Sequence, residues 1–300
     1  CDSIHVLCVR LECRDLGTLL LDLTVDSSSA PLLQFRQVTL EVEGRRFLDG
    51  AELRVDAGES VIVAGTPGSG KSFVLRLLLG LPGIGDAQVV LRGEVIVAGQ
   101  SVFELGGNDL QVLRRRIGFV MQEGGLIENM DIRRNVTLPI QYHFRDMLSD
   151  GSLADRRCDQ LLERFDISHL GSSGLRPVSL DHEQKIYVAL ARALVMDPFL
   201  LLLDDPMIGL SPDSAQRLCH HAFDSTSLFT DRLPGETTES LTHLLTTADL
   251  GGYLEHGDRF VLLDDGHLID VGDRTAVETS DDPRLARVLK RDPIEVGGHG

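Results

Sequence analysis

The sequence predicts an α/β fold built on a central, mainly parallel β-sheet. Three observations support this fold class. Strand-like apolar runs alternate with helix-like patterns, a glycine-rich loop joins a strand-like run to a helical one at 65–72, and a fully apolar run at 199–203 ends in two aspartates. Alternating strands and helices are typical of layered parallel sheets. A run that is apolar at every position is typical of a strand buried on both sheet faces.

The N-terminal stretch predicts little regular structure. Residues 1–30 show no periodicity and end in a serine-rich run before Pro31, so we expect a poorly ordered leader. The strand candidates that follow are, in chain order, 33–42, 51–55, 61–64, 89–97, 117–121, 199–203, 244–245, 260–263 and 267–271. The helix candidates are 73–79, 136–144, 153–165 and 183–194, and the polar stretch 224–239 predicts a loop or a frayed helix.

The loop before the first helix candidate carries the clearest motif. It matches the phosphate-binding pattern G-x-x-x-x-G-K-[ST] with Gly65, Thr66, Pro67, Gly68, Ser69, Gly70, Lys71 and Ser72. Glycines let successive backbone N–H groups turn toward an anion, and the start of the following helix adds its positive dipole end. We therefore predict that these eight residues bind a nucleotide, that Lys71 reaches the β- and γ-phosphates, and that the Ser72 hydroxyl holds Mg²⁺.

Charge, apolar runs and cysteine content indicate which kinds of partner and which cellular compartment to expect. The formal net charge of −17 argues against a surface that binds nucleic acid. No apolar run approaches the ~20 residues that a membrane-spanning helix needs, so we expect a chain that docks on a membrane protein rather than crossing the bilayer. Five scattered cysteines, an odd number without C-x-x-C spacing, favour a reducing compartment.

The order of four motifs resembles that of the ATP-binding subunits of ABC transporters. The motifs are the phosphate-binding loop, Gln122, the helix end Ala-Arg-Ala-Leu at 191–194, and the apolar strand with its following residues at 200–206. Details at 122–139, together with the Asp-Pro-Arg of 282–284, look like the ATPases of the phospholipid-trafficking, MCE-associated (Mla-type) importers.

The resemblance covers about 31–272 and implies a P-loop NTPase fold of the ABC ATPase type. Such a fold has an antiparallel β subdomain and an inserted α-helical subdomain beside the central sheet. The implied organisation is an ATP-binding domain at 31–275 with its helical subdomain at about 123–195, followed by a C-terminal tail at 276–300.

Family roles are implied at matching positions. Lys71 and Ser72 correspond to the phosphate-binding lysine and the Mg²⁺ ligand. Gln122 corresponds to the glutamine that links the metal and the attacking water to the transmembrane partner. Asp204 corresponds to the Walker B aspartate on Mg²⁺, and Asp205 to the general base. The open alternatives are a surface turn residue for Gln122, a strand-ending residue for Asp204 and a turn residue for Asp205.

Several positions depart from the family pattern. The general base of the family is glutamate, and Asp205 is one methylene shorter; a displacement of about 1 Å can cost on the order of 10²-fold in rate. The switch histidine falls on Ala248, and the D-loop aspartate falls on Ser211. The aromatic residue on which adenine stacks falls on Val42, for which Phe47 is a weak substitute.

The signature motif Leu-Ser-Gly-Gly-Gln departs furthest, because it becomes Leu-Asp-His-Glu-Gln at 180–184. In the family this segment closes over the γ-phosphate held by the other subunit. Asp181 and Glu183 would point carboxylates at that polyanion, while a protonated His182 would offset part of the repulsion. The alternative is an ordinary acidic helix N-terminus, where Asp and Glu are favoured.

The implied function is an ATP-binding transport subunit. It binds ATP with Mg²⁺, pairs with a second ATPase subunit as a homo- or heterodimer, and couples slow hydrolysis to an integral-membrane permease at the inner face of the cell membrane. Lipid is the cargo that the subfamily resemblance implies. The loop at 142–144 with the helix after Leu153 is the expected docking surface for the permease, and ordinary core packing of the helical subdomain is the alternative. The alternative is a nucleotide-binding scaffold that barely hydrolyses ATP. A DNA-maintenance ATPase is disfavoured because coiled-coil arms are missing and the charge is acidic.

Overall fold

A computed structural model describes residues 30–83, 87–144, 151–171, 174–224, 229, 233 and 240–289. Apart from Ala30, the predicted leader lies outside the described residues. So do most of the polar stretch 224–239 and the end of the predicted tail from 290 onward.

A six-stranded sheet forms the centre of the fold, and it is mainly parallel as predicted. Its spatial order is β10-β9-β3-β8-β7-β6. All neighbouring pairs are parallel except β9 with β10 at one edge. The strands are β3 (Ser60–Ala64), β6 (Ile117–Val120), β7 (Leu200–Asp204), β8 (Thr242–Thr247), β9 (Arg259–Asp264) and β10 (His267–Gly272).

A second, antiparallel sheet packs against the first. Its order is β2-β1-β4-β5, with β1 (Leu33–Val42), β2 (Arg45–Val55), β4 (Val89–Val97) and β5 (Gln100–Ser101). β2 is longer than the predicted 51–55 because the chain turns tightly at Glu43 and Gly44, both with positive φ, and pairs again at once with β1.

Helices cover both sheets and fill the middle of the chain. They are α1 (Lys71–Leu78), α2 (Gly107–Arg115), α3 (Ile132–His143), α4 (Ser152–Arg164), α5 (Ser168–Gly171), α6 (His182–Leu194), α7 (Pro212–Phe223), α8 (Arg274–Thr279) and α9 (Pro283–Leu289). Helices α3 to α6 lie between β6 and β7 in the chain, the place of the predicted helical subdomain, whose boundaries stay a prediction. The sequence analysis missed α2 and α7, each of which buries only a few side chains, and it also missed the short helices α5, α8 and α9.

Two apolar clusters divide the interior. One lies between the antiparallel sheet, α1 and one face of the parallel sheet. The other lies between the opposite face and helices α3 to α7. The all-apolar runs explain this arrangement, because β3 is buried along its whole length and β7 is buried up to Asp204. The carboxyl ends of the parallel strands are therefore held rigidly at one edge, where open α/β sheets bind ligands.

Candidate nucleotide-binding site

The glycine-rich loop lies between the end of β3 and the start of α1, the context that the motif requires. Gly68 and Gly70 have φ values of 77° and 102°, which side chains other than glycine rarely adopt. A Cβ atom on Gly65 would lie 2.8 Å from the carbonyl oxygen of Leu263 and 2.8 Å from Ser69 Oγ. The loop therefore needs its glycines both for conformation and for close packing.

The donors of this loop fit an anion. The first backbone N–H groups of α1, at Lys71 and Ser72, lie at a helix start, where N–H groups lack partners within the helix. Among the described residues, the buried hydroxyl of Ser69 has no hydrogen-bond partner. A tight backbone cradle, a helix N-terminus and a buried hydroxyl form the donor set that a phosphate group accepts from.

The Lys71 side chain lies inside the loop. Its ammonium donates to the carbonyl oxygens of Gly65 at 2.7 Å and Thr66 at 3.0 Å, and the residue is 8% exposed. Burial lowers the pKa of Lys71, and the nearby charges of Asp205 and Asp204 oppose this shift. The ammonium of Lys71 therefore lies within the loop and faces the carboxylates of Asp204 and Asp205.

Two of the three residues predicted to bind Mg²⁺, Ser72 and Asp204, come together at the end of β7, whereas Gln122 makes no hydrogen bond with them in the described residues. Ser72 Oγ donates to Asp204 Oδ1 at 3.1 Å. Thr246 Oγ1 donates to the same carboxylate oxygen at 2.8 Å. Sequence reasoning missed Thr246, although it lies opposite Asp204 in the register of β7 and β8. One carboxylate and one hydroxyl are thus positioned as oxygen ligands of the kind that Mg²⁺ prefers.

Gln122 is placed by topology rather than by contact. It is exposed and lies two residues beyond β6, the strand that pairs in parallel with β7. The loop that follows it is tied to α6, because Arg192 donates to the carbonyl oxygens of Gly124 and Gly125, each at 2.9 Å. The role of Gln122 in binding the metal and in catalysis stays a prediction.

Asp205 is anchored by both carboxylate oxygens. The Thr247 hydroxyl lies 3.1 Å from Oδ1, and the backbone N–H of Ala248 donates to Oδ2 at 3.1 Å. Burial raises the pKa of Asp205, and these bonds and the Lys71 charge oppose the rise. Its φ is 46°, a left-handed conformation that aspartate adopts more readily than most residues. Asp205 therefore fixes the segment around Ala248, and its role as general base stays a prediction.

A cavity of about 570 Å³ adjoins the loop on the side of the antiparallel sheet. It is lined by residues 66–69, by Arg45 and Phe47 of β2, and by the turn at 264–267. Val42, at the predicted adenine-stacking position, is 9% exposed and packs in the apolar cluster around α1. Its nucleotide contact stays a prediction, while Phe47 lies at the cavity.

The segment aligned with the signature motif is bound within its own subunit. Asp181 caps α6 by accepting from the Gln184 N–H at 2.8 Å, and the Gln184 side chain accepts from the Asp181 N–H at 3.1 Å. His182 Nε2 lies 2.9 Å from the carbonyl oxygen of Ile208. This geometry agrees with the alternative of an ordinary acidic helix N-terminus.

Glu183 extends the same pattern toward α7. It accepts from the Ser214 hydroxyl at 2.7 Å and from Arg217 at 3.0 Å. The carboxylate is therefore paired inside the subunit rather than free to approach a phosphate on another chain.

A groove of about 320 Å³ lies where β6 meets α3 and α6. Its lining includes Arg114, Arg115, Tyr142 and His143. Burial and the Arg115 charge lower the pKa of His143 to about 4, so this imidazole is neutral at pH 7. The predicted docking segment 142–144 is the end of α3 rather than a loop, and only part of it is accessible. Tyr142 is 68% exposed, whereas Phe144 is 5% exposed and belongs to the core.

Comparison with known proteins gives consistent matches. Residues 48–208 match the family model described as ABC transporter. A methionine import ATP-binding protein, MetN, from Caulobacter vibrioides is 32% identical, covering 76% of this chain and 62% of that protein. A probable sulfate/thiosulfate import ATP-binding protein, CysA, from Chlorella vulgaris is 30% identical, covering 79% of this chain and 88% of that protein.

A solved structure agrees with the fold. A dimeric ATP-binding cassette in a post-hydrolysis state, bound to ADP and Pi, superposes with a TM-score of 0.65 at 25% identity, covering 79% of this chain and 96% of that one. ABC ATPases bind ATP with Mg²⁺, and the donor set at 65–72 with Asp204 fits this pair of ligands.

The chain spans 56% to 65% of the length of three bacterial import ATP-binding proteins, two for methionine and one for sulfate/thiosulfate. Among the helices of the described residues, none has the length and apolar character that a bilayer span needs.

Proposed function

The chain belongs to the ABC transporter family, and from this premise we propose that it is an ATP-binding transport subunit that binds MgATP and hydrolyses it slowly. The observation that carries the proposal is the contact between Ser72 Oγ and Asp204 Oδ1 at 3.1 Å, directly beside the glycine-rich loop. It joins the phosphate-binding end of α1 to the carboxylate end of β7.

The residues divide the work between phosphate and metal. The backbone amides of the loop and the Lys71 ammonium bind the phosphate tail, and Ser72 and Asp204 hold Mg²⁺. Bound MgATP supplies the phosphoanhydride bond whose cleavage is used for transport. Asp205 orients the attacking water. Because its two carboxylate oxygens already accept hydrogen bonds from Thr247 and Ala248, fewer lone pairs are available for the water, and we expect slow turnover.

Equilibrium dialysis of ATP with and without Mg²⁺ tests the binding half of this proposal. We expect Mg²⁺-dependent uptake that Lys71→Ala weakens about 1000-fold, since the ammonium makes two or more charge-assisted hydrogen bonds to phosphate at about 2 kcal/mol each. Lys185→Ala is the matched control, because Lys185 lies on α6 outside the site. Equal uptake by both variants would contradict the proposal.

A second candidate function is a hydrolysis-deficient scaffold that binds ATP and gates its complex. The segment 180–184, aligned with the signature motif, favours this alternative, because Asp181 and Glu183 accept hydrogen bonds within the subunit. Comparing ATP hydrolysis by the subunit and its Asp205→Asn variant, each with the permease, separates the two. A rate that falls at least tenfold supports slow hydrolysis by this site; unchanged residual rates support the scaffold.

The partners in this proposal are an integral-membrane permease and a second ATP-binding subunit, homo- or heterodimeric, at the inner face of the cell membrane. We expect the permease to dock at the groove where β6 meets α3 and α6, since this groove combines the exposed ring of Tyr142 with the side chains of Arg114 and Arg115. Co-purification of the permease with a Tyr142→Ala variant tests this, and undiminished recovery would count against it. Truncation of Phe144 would instead damage the core.

Lipid as the cargo rests only on the resemblance at 122–139 and 282–284. The relatives named above are import proteins for methionine and for sulfate/thiosulfate, so they lend lipid no support. The cargo stays a prediction, which purification of the whole transporter and identification of its co-purifying ligand would test.

A further inference from the structure

The surface that would receive a nucleobase is unusual in this chain. Val42 is buried and offers no flat side chain. Its direct partner in the antiparallel ladder of β1 and β2 is Arg45. Residues directly opposite in such a ladder project their side chains from the same sheet face. Arg45 therefore stands beside the position where an aromatic ring is missing.

Arg45 is fixed from two sides. Its guanidinium carbon lies 4.7 Å from the centre of the Phe47 ring, within the range of a cation–π contact. Its Nη2 donates to the carbonyl oxygen of Gly68 at 2.9 Å. The side chain is thus tied both to an aromatic ring and to the glycine-rich loop itself.

The Phe47 ring is held in turn by the start of α1. Its centroid lies 4.5 Å from that of Phe73, and a Cβ atom added to Gly70 would lie 3.0 Å from the ring. Arg45 and Phe47 form a stack, and the Phe47 ring packs on Phe73 at a tilt of 47°. These contacts set the position of the guanidinium before any ligand binds.

The cavity beside this stack suits the uncharged end of a nucleotide. Its volume of about 570 Å³ is sufficient for a base and a ribose. Carboxylates of Glu41, Asp49, Asp264 and Asp265 also line it, and they would repel phosphate groups but can accept hydrogen bonds from hydroxyl and amino groups. The phosphates therefore belong to the loop, and the base and sugar to the cavity.

We propose that the guanidinium of Arg45, stacked on Phe47, is the platform on which the base of the bound nucleotide rests, and that Arg45 is a positioning residue of this site. The proposal builds on MgATP binding as the proposed function. A guanidinium is planar, stacks on aromatic faces and accepts a base on its free face, whereas lysine has no such plane.

Isothermal titration with two ligands, MgATP and magnesium tripolyphosphate, tests the platform, because only ATP has a base. We expect Arg45→Lys to lower the ratio of ATP affinity to tripolyphosphate affinity roughly 5- to 150-fold, the range for loss of one base-stacking contact. Arg45→Tyr restores a flat surface and should recover most of the ratio. Arg54→Lys, on the same strand and paired with Asp56, is the control and should leave the ratio unchanged.

The outcomes separate the platform from the nucleotide site as a whole. An unchanged ratio in Arg45→Lys, or equal weakening of both ligands, would overturn the role of Arg45 while MgATP binding stands. Failure of the unsubstituted chain to bind either ligand would overturn both the platform and the proposed function. A ratio that falls in Arg45→Lys and returns in Arg45→Tyr supports it.

Discussion

The phosphate-binding loop and the start of helix α6 differ in where their polar groups point. At the loop, Lys71, Ser72 and Asp204 converge on one place at the strand ends. At α6, Asp181 and Glu183 turn back onto their own subunit. In ABC dimers each site needs both regions, one from each chain. In this chain the polar groups at the loop meet at the strand ends, whereas those at the start of α6 are used in contacts within the subunit.

The acidic residues at the start of α6 have a structural role within the subunit. Glu183, for which the resemblance predicts a glycine, has Ser214 and Arg217 of α7 as partners. Asp181 in place of serine keeps a helix-capping oxygen. Because both carboxylates accept hydrogen bonds within the subunit, the segment can be stable without binding a nucleotide.

The largest stability effect is expected at His243, near the start of β8 and opposite the first residue of β3. This residue is 1% exposed and its Nδ1 lies 3.1 Å from Ser60 Oγ on β3. Burial lowers the pKa of His243 to about 4, against about 6.5 in an unfolded chain. As the pH falls from 6.5 to 4 the unfolded state takes up the proton first, so the free energy of unfolding should fall, by roughly 2 to 3 kcal/mol.

Urea unfolding of the chain and of His243→Gln at several pH values measures this dependence. Between pH 4 and 6.5 the free energy of unfolding of the variant should depend less on pH than that of the unsubstituted chain. Between pH 7 and 8 the two proteins should show the same pH dependence. Identical slopes at acid pH would show that the parallel sheet does not depend on a neutral His243.

An intermediate effect is expected at Thr246, which orients Asp204. Thr246→Val keeps the shape of the side chain but removes the 2.8 Å hydrogen bond to Oδ1. Loss of such an outer partner typically weakens a metal site about tenfold or more, so the Mg²⁺ concentration needed for half-maximal ATP binding should rise about tenfold. Ser214→Ala, which removes a partner of Glu183 instead, should leave it unchanged. If this Mg²⁺ concentration rose in both variants, the loop and the start of α6 would not be functionally separate.

The smallest effect is expected at Asp181. Asp181→Ala removes a helix cap, which typically costs about 1 kcal/mol, or about 2–4 °C in melting temperature for a domain of roughly this size. MgATP affinity should not change. Asp181→Ser keeps a capping oxygen and should melt close to the unsubstituted chain. If Asp181→Ala instead altered MgATP affinity by tenfold, the segment would still belong to the nucleotide site.

The sequence by itself determined the parallel sheet and the loop beneath the nucleotide. The all-apolar runs at β3 and β7 leave no other place than a doubly covered sheet, and a G-x-x-x-x-G-K-S pattern between strand and helix has one backbone geometry. Short-range patterns of this kind carry their own structure, because periodicity and glycine conformation act over a few residues.

Only the tertiary structure decided what the unusual residues do. The pairing of Thr246 with Asp204 depends on the register of β7 and β8, and the contacts of Glu183 depend on α7, some 30 residues away in the chain. The hydrogen bond from Arg45 to the carbonyl oxygen of Gly68 and the contact of Asp205 with the N–H of Ala248 likewise join residues that lie 23 and 43 positions apart. Side-chain partners at long sequence separation follow from packing, and packing is fixed only when the whole chain has folded.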